Sequence, residues 1–372
     1  MSALESAFTL RRVATRMTEG IDSTLLVLTL TLSLLGMAAL FSASYENPSR
    51  VAAQVANLAF ALAAMWLVAQ LSPQTLMRFA VPAYIVGMLF LIAVALFGDV
   101  VNGARRWLHV GVTRFQPSEM MKLAVPMMLA WYFHRRETAL RLRDFALGAL
   151  LLAVPLALIA RQPDLGTAAL VGATGFYVIF FAGINWRILV GVAVAFAAGL
   201  YPLWNHMRDY QKKRILTLLD PSTDPLGAGY HIIQSTIAVG SGGLSGKGWL
   251  NGTQSHLEFI PERHTDFIFA VFSEEFGLIG NVVLLILYAL LIGRGLMIAA
   301  NAPTVFSRLF AGSIGLMFFT YAFVNMGMVS GILPVVGVPL PFLSYGGTAL
   351  LTLFLGVGVL MSVNRHRKLV QT

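Results

Sequence analysis

The chain has 372 residues, of which 57% are hydrophobic and only 12% charged, and its mean hydropathy is +0.75. Soluble domains carry about 25% charged residues, so this composition excludes a soluble globular protein; repeated apolar runs near the ~20 residues a helix needs to cross a bilayer indicate an all-α polytopic membrane protein. The absence of cysteine excludes disulfides and thiol chemistry, and the net charge of +9 is read as topology-setting charge plus an anionic ligand, not as a nucleic-acid surface.

In chain order, Arg11, Arg12 and Arg16 precede an apolar run from Leu25 to Phe41. Ser42-Ala43-Ser44 after it could pass as a signal-peptide cleavage site, but the run is longer than a typical signal core and is read as the first span. Ten spans are expected at roughly 22–43, 51–70, 79–98, 117–133, 145–160, 166–183, 187–204, 265–293, 307–330 and 343–363. They form one domain over 1–372, with no linker or low-complexity tail.

With the N-terminus inside, the C-terminus is inside too. The inside segments then hold Arg11, Arg12, Arg16, Arg78, Arg135, Arg136, Arg141, Arg143, Arg187, Arg294, Arg308, Arg365, Arg367 and Lys368. The short outside segments hold only Arg50, Arg105, Arg106, Arg114 and Arg161, an asymmetry that supports N-in and C-in. The long loop between spans 7 and 8, roughly 205–264, is therefore outside, and its length and patterning read as functional. It carries Tyr230 to Val239, apolar enough for a short interfacial helix, and ends in a glycine-rich run from Gly240 to Gly248. No internal repeat is visible, which counts against common transporter architectures.

The glycine-rich run looks like a phosphate loop, but Ser241 stands where the first Gly is needed and Gly248 follows Lys247 in place of Ser or Thr. Asn251-Gly-Thr253 matches a glycosylation acceptor and is given no weight. His256 and His264 with Glu262 and Asp266 match no protein zinc spacing.

Polar motifs gather where the even-numbered spans begin, all on the outer side. Span 4 starts at Arg114-Phe-Gln116-Pro117-Ser118-Glu119 with Lys122 one turn on, and span 6 follows Gln162-Pro163-Asp164. Span 8 starts at His264-Thr265-Asp266, and span 10 follows Ser344-Tyr345-Gly346-Gly347. Helix N-termini offer free N–H groups and partial positive charge suited to a pyrophosphate; plain capping is the alternative for Ser118, Asp164 and Asp266. Glu119 and Lys122 share a helix face and are either a structural ion pair or a phosphate-binding Lys with its orienting acid. Arg105-Arg106-Trp107 reads equally as an anion patch or a headgroup anchor. Thr265 is expected to cap span 8, which leaves the Asp266 carboxylate for function. Glu274 and Glu275 are placed between helices without a role.

Together these residues resemble the SEDS family of shape, elongation, division and sporulation proteins. The resemblance covers essentially the whole chain. It is carried by Arg106-Trp-Leu, Arg114 to Glu119 with Lys122, Gln162 to Gly166, Asp220-Pro through Gln234, Gly242-Gly-Leu, Gly246-Lys247-Gly248, Phe259 to Phe267, and Asn325 through Gly347. The short tails and the Pro-Glu-Arg-His-Thr-Asp wording are closer to the elongation branch than to the division branch. The resemblance implies a ten-span fold in the bacterial inner membrane and polymerisation of lipid II into glycan strands at the periplasmic face. It also implies a divalent cation (Mg2+ or Mn2+), a class B penicillin-binding transpeptidase as partner, and the rod-shape elongation complex (MreB, MreC and MreD). The family's essential Asp falls on Asp266, expected to act as general base, kept ionised by the helix end and Arg263. Arg106, Arg114, Glu119, Lys122, Asp164, Lys247, Arg263, Ser344 and Tyr345 are the expected substrate-binding set. A lipid II flippase or a non-catalytic scaffold for the transpeptidase are the competing readings.

Overall fold

Long runs of Leu, Val, Ala and Phe leave the backbone no polar partner but itself, and helices follow. A computed structural model describes residues 21–367 apart from 45–46, 102–103, 111–112, 138–139, 208, 225–226, 258 and 261. Arg11, Arg12, Arg16, Arg208 and Lys368 therefore lie outside the described residues.

The helices are α1 (Ser23–Ala43), α2 (Pro48–Gln70), α3 (Pro73–Phe97), α4 (Pro117–His134), α5 (Leu142–Arg161), α6 (Leu165–Phe181) and α7 (Trp186–His206). The large loop contributes α8 (Asp209–Leu219), α9 (Ala228–Ser241) and the single turn α10 (Thr253–His256). The chain then continues as α11 (Ile268–Ala300), α12 (Val305–Val329) and α13 (Gly347–Arg365). The helix α9 coincides with the short helix expected from Tyr230 to Val239. Among the described residues seven helices are long and apolar enough to cross a membrane, namely α1, α2, α3, α5, α11, α12 and α13. Of the other three expected spans, α4 has 18 residues and carries Glu119 and Lys122, α6 has 17 residues, and α7 is apolar mainly in its first part.

The all-α expectation needs one correction. Between α3 and α4 the chain forms a three-stranded antiparallel sheet in the order β1 (Asp99–Val101), β2 (Ala104–Val110) and β3 (Thr113–Phe115). Trp107 pairs with Asp99 and His109 with Arg114. This stretch mixes charged and aromatic residues too densely for a span and too briefly for a helix, so its backbone groups pair across short strands.

The second difference is inside α11. Gly277 has φ 62° and ψ −160°, and the helix is broken there into residues 268–276 and 278–300. The second piece alone, at about 1.5 Å per residue, is long enough to cross a bilayer. The broken ends do not stay unpaired. The N–H groups of Leu278 and Ile279 donate to the carbonyls of Gly243 (2.9 Å) and Leu244 (3.0 Å). The carbonyls of Glu274 and Glu275 accept from the N–H groups of Lys247 and Gly248, each at 3.0 Å. Gly246, at φ +78°, sits where a Cβ would lie 2.0 Å from the Glu275 carbonyl oxygen. The glycines that imitate a phosphate loop are there to bring one backbone against another.

At the opposite end of the bundle Asp22, 6% exposed, accepts from Leu25 N (3.0 Å), from Arg294 Nη2 of α11 (2.5 Å) and from Asn364 Nδ2 of α13 (2.8 Å). One carboxylate thus ties α1, α11 and α13. Removing one partner of a buried ion pair leaves an uncompensated charge and costs about 3–5 kcal/mol. Arg294→Met is expected to lower stability by about 3 kcal/mol, the low end because Asp22 keeps two other donors; a thermal midpoint in detergent equal to wild type would contradict this.

Candidate active site around Asp266

Asp266 lies in a tight turn just ahead of α11. The N–H groups of Thr265 and Phe267 both donate to the Glu262 carbonyl, at 3.0 and 3.3 Å, and the Thr265 hydroxyl turns back to Glu262 as well. Thr265 therefore does not cap α11 as the sequence suggests; Phe267 occupies the N-cap position, with no side-chain cap. The carboxylate of Asp266 does not cap α11 either.

Three other elements grip the turn. Asn325 of α12, fully buried, donates from one Nδ2 to the backbone oxygens of Asp266 and Val338, 2.7 Å each. Gly337, next to Val338 and at φ +72°, sits where a Cβ would lie 3.1 Å from Asp266 Oδ2, so a bare Cα faces the carboxylate. On α2, Arg50 meets His264 at 2.7 Å, and Gln54, one turn further, holds the Ser344 carbonyl at 3.3 Å. Tyr345 N–H donates to the His264 carbonyl at 2.8 Å, which ties the segment before α13 to the same turn. Burial, with the Glu262 carboxylate adding to it, pushes the Asp266 carboxyl up to about 6. The sequence suggests the opposite, a carboxylate kept ionised by Arg263. Arg263 donates its Nε to the Ala43 carbonyl at the end of α1, at 2.8 Å.

A second polar group lies one helical turn away. Lys122, 1% exposed, donates to Glu119 at 2.6 Å and stands 5.0 Å over the ring of Tyr321. Tyr321 and Asn325 are i and i+4 on α12, about 6 Å apart along its axis. A single face of α12 thus holds Lys122 through one residue and the Asp266 turn through the next. In this conformation Lys122 and Glu119 make the structural ion pair of the two readings open in the sequence.

Asp164 accepts from Thr167 N (3.1 Å) and Gln116 Nε2 (2.8 Å), so it caps α6 and joins α4 to it. Arg106 donates to the carbonyls of Gln162 (Nε, 3.3 Å) and Pro163, holding β2 against the α5–α6 turn. Gly166 in the first turn of α6 packs on the Val336 carbonyl, where a Cβ would come within 2.7 Å, and so reaches the segment that carries Gly337. Ser344 is turned inward and its Oγ accepts from Leu340 N at 2.7 Å. Lys247 is engaged with Glu274 (2.7 Å) and Thr253 (2.8 Å). Arg114 lies on β3, its side chain outside the described residues, as is that of His256.

Asn325, Tyr321, Gly337 and Arg50 carry this geometry, and the sequence reading gave none of them a role. The available signals are Tyr321 and Asn325 four apart on α12, and the place of Asn325 and Gly337 within the motif from Asn325 to Gly347. Among the described residues no three His, Asp or Glu side chains gather as a metal cage would require. The described residues do not fit a dedicated metal site.

Two apolar grooves open on the bundle. One, about 270 Å³, lies between α3, α4 and α13, with Glu119 in its wall and Thr348, in the first turn of α13, at its end. The N-cap position of α13 is Gly346, with no side-chain cap, so the helix presents its first N–H groups bare beside that groove. The other, about 420 Å³, lies between α11 and α12 and includes Phe269, Tyr288, Phe323 and Met326.

Residues 22–369 match the sequence profile of the FtsW, RodA and SpoVE family, described as cell cycle protein. Peptidoglycan glycosyltransferase MrdB of Escherichia coli K12 is 51% identical over 352 residues, 94% of this chain and 95% of that protein. A chain of a peptidoglycan synthase complex, described for its structural coordination of polymerization and crosslinking, superposes with a TM-score of 0.82 at 37% identity, over 93% of this chain and 98% of that one. Rod shape determining protein RodA of Thermus thermophilus superposes with a TM-score of 0.71 at 32% identity, over 93% and 97%.

Gly337→Ala tests the close approach to the carboxylate. A Cβ at 3.1 Å from Oδ2 in a left-handed conformation strains the backbone and pushes the Asp266 carboxylate by a few tenths of an ångström, and small misplacements of reacting groups can cost about 10²-fold in rate. Polymerising activity is expected to fall by about tenfold or more in a protein that still purifies as a folded species; wild-type rate would mean the carboxylate is not held against Gly337.

Proposed function

The chain belongs to the FtsW/RodA/SpoVE family and is a peptidoglycan glycosyltransferase, and from that premise we propose how its residues carry out the transfer. The substrate is lipid II on both sides of the reaction. A sugar hydroxyl of one lipid-linked disaccharide attacks the anomeric carbon of another; the new glycosidic C–O bond forms as the bond to the pyrophosphate oxygen breaks. The electron pair leaves with the polyprenyl pyrophosphate, and the hydroxyl proton passes to Asp266 as general base.

The observation that carries this reading is a carboxylate whose backbone is clamped by Asn325 and whose oxygen faces a bare Gly337 Cα. Its raised basicity matches the task better than an ordinary Asp would, since a general base works best with a pKa near the operating pH. The polyprenyl tail lies in the groove between α3, α4 and α13, which leads to the uncapped N-terminus of α13. Those N–H groups, with the helix dipole, stabilise the departing pyrophosphate. Arg106 holds the sheet to the α5–α6 turn at the approach, Asp164, Ser344 and Tyr345 hold the walls, and Arg114 is proposed to meet substrate from β3. Lys122 neutralises Glu119 in the groove wall, so that the carboxylate there does not repel the pyrophosphate. A divalent cation, Mg2+ or Mn2+, arrives with the substrate phosphates and not in a protein cage, and no step here depends on it.

The setting is the bacterial inner membrane, with ten spans, both termini cytoplasmic and the site periplasmic; the asymmetry of Arg and Lys supports that orientation. A class B penicillin-binding transpeptidase is the proposed partner, in keeping with the synthase complex whose chain superposes here. The context is cell elongation with MreB, MreC and MreD.

Asp266→Ala is expected to lower strand synthesis from purified lipid II by about 10²–10⁴-fold while leaving membrane insertion intact; near wild-type synthesis would remove Asp266 from the mechanism. The pH profile supplies an independent check. The base must be ionised, and a carboxyl raised to about 6 takes up its proton as pH falls through that value. The rate is therefore expected to drop about tenfold per pH unit below 6, whereas an unperturbed Asp near 3.9 would hold it flat to about pH 5.

A further inference from the structure

The break in α11 is gripped by two carboxylates that the reaction above does not use. Glu274 is completely buried, and its Oε1 accepts from Lys247 Nζ (2.7 Å), the Thr253 hydroxyl (3.0 Å) and Gln254 N (3.0 Å). Glu275, 1% exposed, takes the Ser42 hydroxyl of α1 and the backbone N–H groups of Leu250 and Gly252. The main-chain carbonyls of the same two residues hold Lys247 and Gly248. Two consecutive residues thus bind the loop 247–254 by both backbone and side chain.

These residues close the short segment 268–276, and the Asp266 turn lies immediately before it. Ile268 to Glu275 are all buried, so the segment is a packed rod about 13 Å long with the carboxylate at one end and the loop at the other. Its joint to the rest of α11 is Gly277, the residue best able to let the rod swing. Adjacent acids at the C-terminal end of a helix oppose its dipole, and burying them is costly unless each is fully hydrogen-bonded. Neutral residues would satisfy a helix break at less cost, so the acids call for a purpose beyond packing.

We propose that Glu274 and Glu275 are positioning residues for the glycosyl transfer, fixing through the loop 247–254 the angle of segment 268–276 and with it the place of the Asp266 carboxylate. The inference rests on Asp266 being the base. It also gives Lys247 a different role from the substrate contact expected from sequence, since Lys247 acts on the rod and not on the lipid.

Steady-state polymerisation of lipid II by the purified full chain tests this, with Glu274→Leu, Glu275→Leu and Lys247→Met set against Glu274→Gln, Glu275→Gln and Lys247→Arg. The first three are expected to lower kcat about tenfold or more with KM within about twofold, and the conservative three to recover kcat to within about threefold. A raised KM with unchanged kcat, or wild-type kcat in the first three, overturns the proposal. Should the Leu variants fail to purify as a monodisperse species, the Lys247 pair decides alone, because its side chain is partly exposed and both acids remain. Asp266→Ala is assayed alongside. If it retains synthesis, the base assignment fails; if it is inactive while the first three keep wild-type kcat, only the positioning role fails.

Discussion

A helix interrupted within a membrane protein exposes N–H and C=O groups that lipid cannot satisfy, and the break at Gly277 imposes that constraint on everything around it. The protein meets it with its own backbone. The run from Gly242 to Gly248 folds against both broken ends, and its glycines permit approaches that no side chain would allow. Once that run is there, the later part of the segment between α7 and α11 is packed against the broken helix. The short rod 268–276 becomes a separate piece, and Asp266 inherits its position from that piece and not from a membrane-spanning helix.

α12 supplies the complementary constraint. Its Tyr321 and Asn325 face the same way, one under Lys122 and the other on the Asp266 turn. The α2 helix repeats the device with Arg50 and Gln54 on the turn's other side. The turn is thereby held by three elements distant in sequence, α2, α12 and the segment between α12 and α13, and the carboxylate is desolvated, with its basicity raised, in an otherwise charge-poor bundle.

Much of this was legible in the sequence. Each of the ten expected apolar runs falls on helix, the eighth on a helix broken at Gly277, because a long run of Leu, Val and Ala has no other way to satisfy its backbone. Of the polar motifs at these helix starts, Asp164 joins the starts of α4 and α6 through Gln116 and Thr167, and Tyr345 N–H joins the segment before α13 to the Asp266 turn through the His264 carbonyl. The small sheet was missed although Asn102-Gly103 between β1 and β2 is a hairpin signal, since hydropathy dominates the reading of such a chain. The glycine run could be recognised as unlike a phosphate loop, but not as the partner of Gly277, because that pairing joins segments thirty residues apart through backbone atoms. Glu274 and Glu275 had no readable role for the same reason. The basicity of Asp266 went astray because Arg263 is adjacent in sequence yet turned toward Ala43.

At the far end of the bundle, the bond between Asp22, Arg294 and Asn364 has a bearing on what kind of machine this can be. A carrier that exposes its cargo to each side in turn must part its helices at both ends once per cycle. Here the ends of α1, α11 and α13 away from Asp266 are riveted by one buried carboxylate, while the break at Gly277 and the uncapped start of α13 lie elsewhere. A single carboxylate shared in this way makes any parting of these three helices at that end cost a buried ion pair and two further hydrogen bonds at once.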